Sequence, residues 1–168
     1  MKALSLLQPW ASLVAVIEKR WETRSWSTPF RGEVAIHASK GYGAGGKSGF
    51  HDLCLEEPFK TVLKTNKALH PPGATTLLHV AIGLPLGAVV AVARITRVLR
   101  SEEWVHSFER AQIETAPHEK DFGGYEARRY AWELTEVRQL RSPVPCKGAL
   151  GLWEVPAEVE AAILEQLT

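Results

Sequence analysis

Between residues 8 and 40 the hydrophobic period changes from that of a helix to that of a strand, and this switch constrains the fold more than any other feature of the chain. Pro9 suits the first turn of a helix, where its missing N–H costs nothing. Leu13, Val14, Val16 and Ile17 then put an apolar stripe on a helix that ends near Lys19. From Arg20 the period is two: Arg20, Glu22, Arg24 and Trp26 point to one face of a strand, and Trp21, Thr23 and Ser25 to the other. A turn over 27–32 reverses the chain into a second strand at 33–39. Three tryptophans (Trp10, Trp21, Trp26) lie among these charges. The stretch reads as the wall of a pocket, with the remaining residues closing a small barrel behind it.

The other segments supply that barrel. Ala3–Leu7 is a short apolar strand, and Gly87–Val98 is the strongest buried strand by its β-branched content. Tyr130–Leu140 alternates as a third long strand, and 148–155 follows a bend that contains two prolines. Residues 51–65 predict a helix with Leu53, Leu55, Phe59, Val62 and Leu63 inward, broken or started at Pro58. Lys67–Pro85, which contains Pro-Pro-Gly, reads as an irregular excursion. Ser101 before Glu102 and Glu103 is a helix start, and Pro156 opens a C-terminal helix. The expected class is α+β: one domain over 1–168, with a barrel of five to six strands, few exposed sheet edges and flanking helices.

Composition narrows the partners. At 168 residues there is room for one sizeable core, and 45% hydrophobic with 23% charged residues is ordinary for a soluble globular protein. No 18-residue apolar run predicts a membrane span. Gln8, Pro9 and Trp10 interrupt the apolar N-terminus, so it reads as mature sequence and not as a signal peptide. Cys54 and Cys146 lack metal or redox spacing and read as reduced thiols of a cytoplasmic protein. With 20 basic against 19 acidic residues, the chain is not expected to coat extended duplex DNA, which draws on many cationic contacts. A local patch that reads one nucleotide remains open. The six histidines show no metal-ligand spacing, and no cofactor is expected.

Gly41–Ser48 fits the G-x-x-x-x-G-K-[ST] pattern of a phosphate loop and follows an apolar strand. Such loops also need a strand ending in an aspartate for magnesium, set in a parallel sheet of alternating strands and helices. The 87–98 strand carries no acid and the alternation is missing, so a phosphate-loop nucleotide site is the distant alternative.

Several strings together resemble the ASCH family, a branch of the PUA-like superfamily. They are Leu4–Ala11, Glu18–Trp26, Phe30-Arg31-Gly32 and Ile36–Lys40, supported by 87–93, 129–132 and 148–154. The resemblance spans nearly the whole chain apart from a probable insertion at about 41–80. It implies a PUA-like β-barrel with a cleft lined by the Lys-x-x-Glu-x-Arg motif (Lys19, Glu22, Arg24), and an RNA, nucleotide or nucleobase ligand. Some short members resemble amidohydrolases that remove acyl groups from the exocyclic nitrogen of cytidine with a Lys-x-x-Thr pair and a carboxylate. Their lysine falls on Lys19 and their threonine on Glu22, which has no hydroxyl to form a covalent ester. Thr23 is adjacent but faces the other way along a strand. An enzyme built on this chain would use Glu22 as general base on water and Lys19 to stabilise the oxyanion, acting on N4-acylcytosine nucleosides or as a ribonuclease. Glu102 and Glu103 are candidates for the third acid by position alone.

The residues themselves support a ligand site. A carboxylate between two cations accepts from a base's amino group while the cations hold phosphate. Glutamate also accepts from the exocyclic amine of cytosine. Trp10, Trp21, Trp26 or Tyr125 offers a ring for stacking, at about 1–3 kcal/mol per base. The alternative for this set is a solvated strand face with tryptophans in the core. Trp26, Arg31, His37, Ser39 and Lys40 complete the candidate binding residues. His37 reads as a ligand-contacting or acid-base histidine or, equally, as a satisfied core histidine, and Arg31 as a phosphate contact or a turn cap. His37 with Ser39 lacks an oriented acid for serine-hydrolase chemistry. Arg128 and Arg129, after Phe122-Gly-Gly-Tyr125, read as a second basic-aromatic cluster or, with more weight, as a solvated loop before the strand at 130.

Overall fold

The computed structural model describes residues 1–104 and 118–168. Six strands, β1 (Lys2–Leu6), β2 (Trp21–Arg24), β3 (Gly32–Ala38), β4 (Ala88–Arg100), β5 (Tyr130–Pro145) and β6 (Leu152–Glu154), form one sheet in the order β2-β5-β4-β3-β1-β6. Only β1 and β3 pair in parallel; the other pairs are antiparallel. The sheet curls into a half-barrel, so the expected α+β class holds. The helices are α1 (Trp10–Ala15), α2 (Gly46–Leu55), α3 (Phe59–Thr65), α4 (Leu77–Gly83) and α5 (Ala157–Leu167). Residues 101–104 are helical too.

β4 is central because its first six residues, Ala88–Ala93, are buried without alternation. A strand covered on both faces carries an unbroken apolar run. One face packs Leu4, Ile36, Ile95, Trp132 and Leu134 against Ala11 and Val14 of α1. The other packs Ala3, Ala35, Val89 and Val92 against Ile163 of α5. A third cluster joins α2, α3 and α4 through Phe50, Phe59, Leu63 and Val80, and reaches the barrel at Leu13 and Phe122.

One helical expectation holds at Pro58 but not at Leu55, which is 61% exposed, and another changes. The 51–65 segment is two helices, because Pro58 caps α3 and has no N–H with which to continue α2. The 67–85 segment is not irregular throughout: it holds a 3₁₀ turn at Lys67–Leu69 and then α4. Pro-Pro-Gly occupies only its middle, and Thr76 restarts the helix, its Oγ1 accepting from the His79 N–H at 3.2 Å. β5 also runs past Leu140 to Pro145, with the β4 register shifting between Val89 and Ala91.

Candidate functional site

The site starts at the end of α1. The N–H groups of Glu18 and Lys19 both donate to Leu13 O, at 3.0 and 3.1 Å, and Ile17 takes φ 65°. This tight exit turns Lys19 inward. Its side chain is 1% exposed; Nζ donates to Trp21 O and lies 3.7 Å from Glu22 Oε2 and 3.8 Å from Glu119 Oε1. Glu119, fully buried, accepts from the Arg20 and Trp21 N–H groups at 2.6 and 3.0 Å. The Tyr125 hydroxyl reaches it at 3.4 Å. Burial lifts the Glu119 carboxyl above the usual carboxylate range, against the pull of the Lys19 ammonium and these donors.

β2 then alternates. Trp21 and Thr23 face the interior, while Glu22 and Arg24 emerge, paired across the ladder with Trp132 and Tyr130. Arg24 Nε lies 3.2 Å from Glu22 Oε1, and its NH2 donates to Ser5 O at 2.7 Å. Glu22 is therefore held from two sides, by Lys19 beneath and Arg24 alongside, with 12% of its side chain exposed.

These two side chains open onto a cleft of about 1210 Å³. Its walls are Ser5–Leu7 of β1 and the following loop, Trp10 of α1, His37, Ser39 and Lys40 at the exit of β3, Leu86–Gly87 before β4, and the 145–151 segment. Among the described residues, the charged side chains in the lining are one carboxylate, Glu22, and three cations, Arg24, Lys40 and Lys147. Leu150 stands 97% exposed at its edge. A second cleft of about 590 Å³ shares Trp10 and Glu22 with the first and extends toward Glu57, Phe59 and Gly124.

His37 is buried at the cleft floor, with Nδ1 3.1 Å from Ser5 Oγ and Nε2 3.0 Å from Cys146 O. Burial holds its pKa below the ordinary imidazole value, although the Cys146 carbonyl favours the charged ring. Both readings of this histidine thus meet in one place: it is a satisfied interior residue that also lines a cavity.

Of the sequence candidates, the structure brings Glu22, Arg24, His37, Ser39 and Lys40 together around one cavity. Lys19 lies behind Glu22 and is absent from the lining. Trp26 packs edge-on against Trp132, ring centroids 4.6 Å apart, in the core. Arg31 NH1 donates to Thr28 O and Phe30 O at 2.9 and 2.8 Å, closing its own turn. Trp21 is buried against Trp104, with Tyr125 stacked on the opposite partner at 3.6 Å. Glu102 and Glu103 are exposed and accept from the backbone N–H groups of Arg128 and Arg100. The acid that faces Lys19 besides Glu22 is Glu119, which the sequence reading passed over. Ser5 and the 145–151 wall were passed over too. Residues 41–48 line neither cleft; Lys47 and Ser48 are exposed on α2.

Among the described residues, no group of three or more His, Cys, Asp or Glu is placed to hold a metal ion. Nor, among them, is any helix long and apolar enough to cross a membrane.

Residues 4–144 match the sequence model of the ASCH domain. The fold is similar to the crystal structure of ASCH from Zymomonas mobilis: TM-score 0.53 at 11% identity, covering 98% of this chain and 93% of that one. Crystal structures of a Tyr-to-Phe and a Ser-to-Ala mutant of the Zymomonas mobilis protein superpose with TM-score 0.51, at 11% and 12% identity. They cover 98% of this chain and 96% and 94% of theirs. At such identity the likeness concerns the fold. No curated protein matches the chain significantly.

Proposed function

The chain belongs to the ASCH domain family, and from that premise we propose that it is a PUA-like RNA- or nucleotide-binding module that takes one nucleobase, plain or modified, into the cleft beside Glu22 and Arg24. The observation that carries this reading is the Glu22–Arg24 pair, 3.2 Å apart, opening onto a cavity that also presents Lys40 and Lys147. A carboxylate held by two cations is fixed as an acceptor, suited to an exocyclic amine such as that of cytosine. Trp10, which lines both clefts, supplies a ring for stacking. The two rim lysines suit phosphate, as flexible point charges. In this reading Lys19 positions Glu22 from behind and does not touch the ligand, and residues 41–80 are an insertion on the domain. Calorimetric titration with single-stranded RNA and with modified and unmodified cytidines tests it: binding that Glu22→Ala weakens at least tenfold supports the site, and unchanged affinity removes Glu22 from it.

A second reading, hydrolysis of N4-acylcytosine nucleosides or of RNA, draws support from the buried Lys19 lying between Glu22 and Glu119, at 3.7 and 3.8 Å. Here Glu22 is the general base on water. Lys19 acts through Glu22, because its ammonium is covered. Incubation of wild type and Lys19→Ala with N4-acetylcytidine and with labelled RNA decides it; no turnover at high protein concentration leaves the binding module.

A further inference from the structure

Ser5 Oγ has more partners than one hydroxyl proton serves. It lies 3.1 Å from His37 Nδ1, 3.1 Å from Ala149 O and 3.1 Å from Trp153 Nε1. The tryptophan N–H only donates and the Ala149 carbonyl only accepts. His37 Nε2 faces the Cys146 carbonyl at 3.0 Å, another pure acceptor, so Nε2 carries a proton in either charge state. With a neutral ring, Nδ1 is bare and competes with Ala149 O for the single Ser5 proton, leaving one acceptor unserved. With a charged ring, Nδ1–H donates to Ser5, Ser5 donates to Ala149 O, Trp153 donates to Ser5, and every group is paired.

The segment that carries Ala149 is seated on this cluster. A Cβ at Gly148 would lie 2.4 Å from His37 Cε1 and 2.9 Å from Ser5 Oγ, so the backbone there rests directly on the two side chains. The same 145–151 segment forms one wall of the cleft, in whose lining cations outnumber carboxylates. The ionisable groups sharing the cleft with His37 are Glu22 and Arg24 from β2, Lys40 after β3, and Cys146 and Lys147 on the segment itself. Glu158 of α5 acts on the Cys146 thiol, and the β4 residues opposite, Ala88 and Val89, carry no charge. Imidazole is the side chain whose charge ordinarily changes between about pH 5 and 8.

We propose that Ser5 and His37 form a proton-operated latch on the 145–151 wall, so that an anionic nucleotide entering the cleft is bound with uptake of a proton by His37. Burial works against the charged ring, and the negative charge of a phosphodiester offsets it. The inference rests on the cleft being a nucleotide site. His37 is a positioning residue here: it sets the wall and the local charge.

The test uses the dinucleotide cytidylyl-cytidine, whose phosphodiester keeps one charge over the range examined, titrated calorimetrically from about pH 8 to about pH 6. Wild type should tighten at least about fivefold, within the about tenfold per pH unit that one linked proton allows. Two buffers of different ionisation heat should report proton uptake on binding. His37→Gln should bind with affinity constant to about twofold, and Ser5→Ala should lose most of the pH effect. Binding that is equally tight at every pH in wild type overturns the latch and leaves the nucleotide site standing; no binding at any pH overturns both. A readout free of ligand is the histidine ring nitrogen spectrum: neutral His37 is expected as the Nε2–H tautomer, and an Nδ1–H tautomer defeats the proposal.

Discussion

Lys19 Nζ lies 3.8 Å from Glu119 Oε1 in the interior, with 1% and 0% of the two side chains exposed. The pair joins the exit of α1 to a 3₁₀ turn at Glu119–Phe122, before β5. Glu119 also receives the N–H groups of Arg20 and Trp21, so the strand that presents Glu22 and Arg24 is pinned at its first residue by a buried carboxylate. The position of the cleft's acid is thus set from beneath.

Removing one partner of a buried pair strands the other charge, which costs about 3–5 kcal/mol. Lys19→Met should therefore lower unfolding free energy by about 3 kcal/mol in urea denaturation, and adding Glu119→Gln should recover part of that loss. A decrease below about 1 kcal/mol for the single variant would show that the ammonium is not holding the carboxylates.

Residues at the cavity and residues in the core should separate in one experiment. Arg24→Ala should weaken ligand binding about tenfold, or about 1.4 kcal/mol. Trp26→Leu loses the edge-on contact with Trp132 and should cost about 1–3 kcal/mol of stability with affinity unchanged. Loss of affinity in Trp26→Leu, with the fold intact by circular dichroism, would move that ring into the site.

Burial holds His37 below the ordinary imidazole value, so the fold favours the neutral ring. Its contribution to stability is complete above the unfolded value of about 6.5 and is lost as pH falls through the lower folded value. Melting temperature without ligand should fall between about pH 7 and pH 5, and His37→Gln should fall less. Parallel curves would mean that His37 is not a source of the acid sensitivity.

The two thiols, both free, should differ in reach. Cys54 is 2% exposed, and burial pushes its pKa up to about 12; Cys146 is half-buried and raised, by burial first and then by Glu158. A thiol reagent at neutral pH should modify Cys146 slowly and Cys54 only in denaturant. Equal rates in the native protein would contradict the packing of α2 on α3.

Patterns carried by a single element were legible in the sequence. The unbroken run of β4 and the period-two faces of β2 each follow from local spacing. So does the emergence of Glu22 with Arg24, two positions apart on a strand. What was not legible depends on chain sections meeting. Lys19 was expected in the cleft through the motif it shares with Glu22 and Arg24, yet the tight exit at Ile17 sends it inward. Glu119 sits in a short polar string, and only its place under β2 distinguishes it from Glu102 or Glu103. Ser5 looked like one polar residue in an apolar strand; its meaning comes from β3 beside it and the 145–151 wall above. One local signal was available and missed: Thr76 followed by an apolar helical run marks the start of α4.

The sheet begins at β2 and ends at β6 without those edges pairing, and the gap between β2 and β1 is crossed by the Arg24 guanidinium on the Ser5 carbonyl. A half-barrel crossed there, among the described residues, by a side chain and not by a ladder has a more compliant seam than a laddered one. Opening it by an ångström or two asks for a rotamer change, whereas opening a laddered seam would break a row of backbone hydrogen bonds together. On the proposed nucleobase reading, guests of different girth would enter at the cost of that one rotamer change.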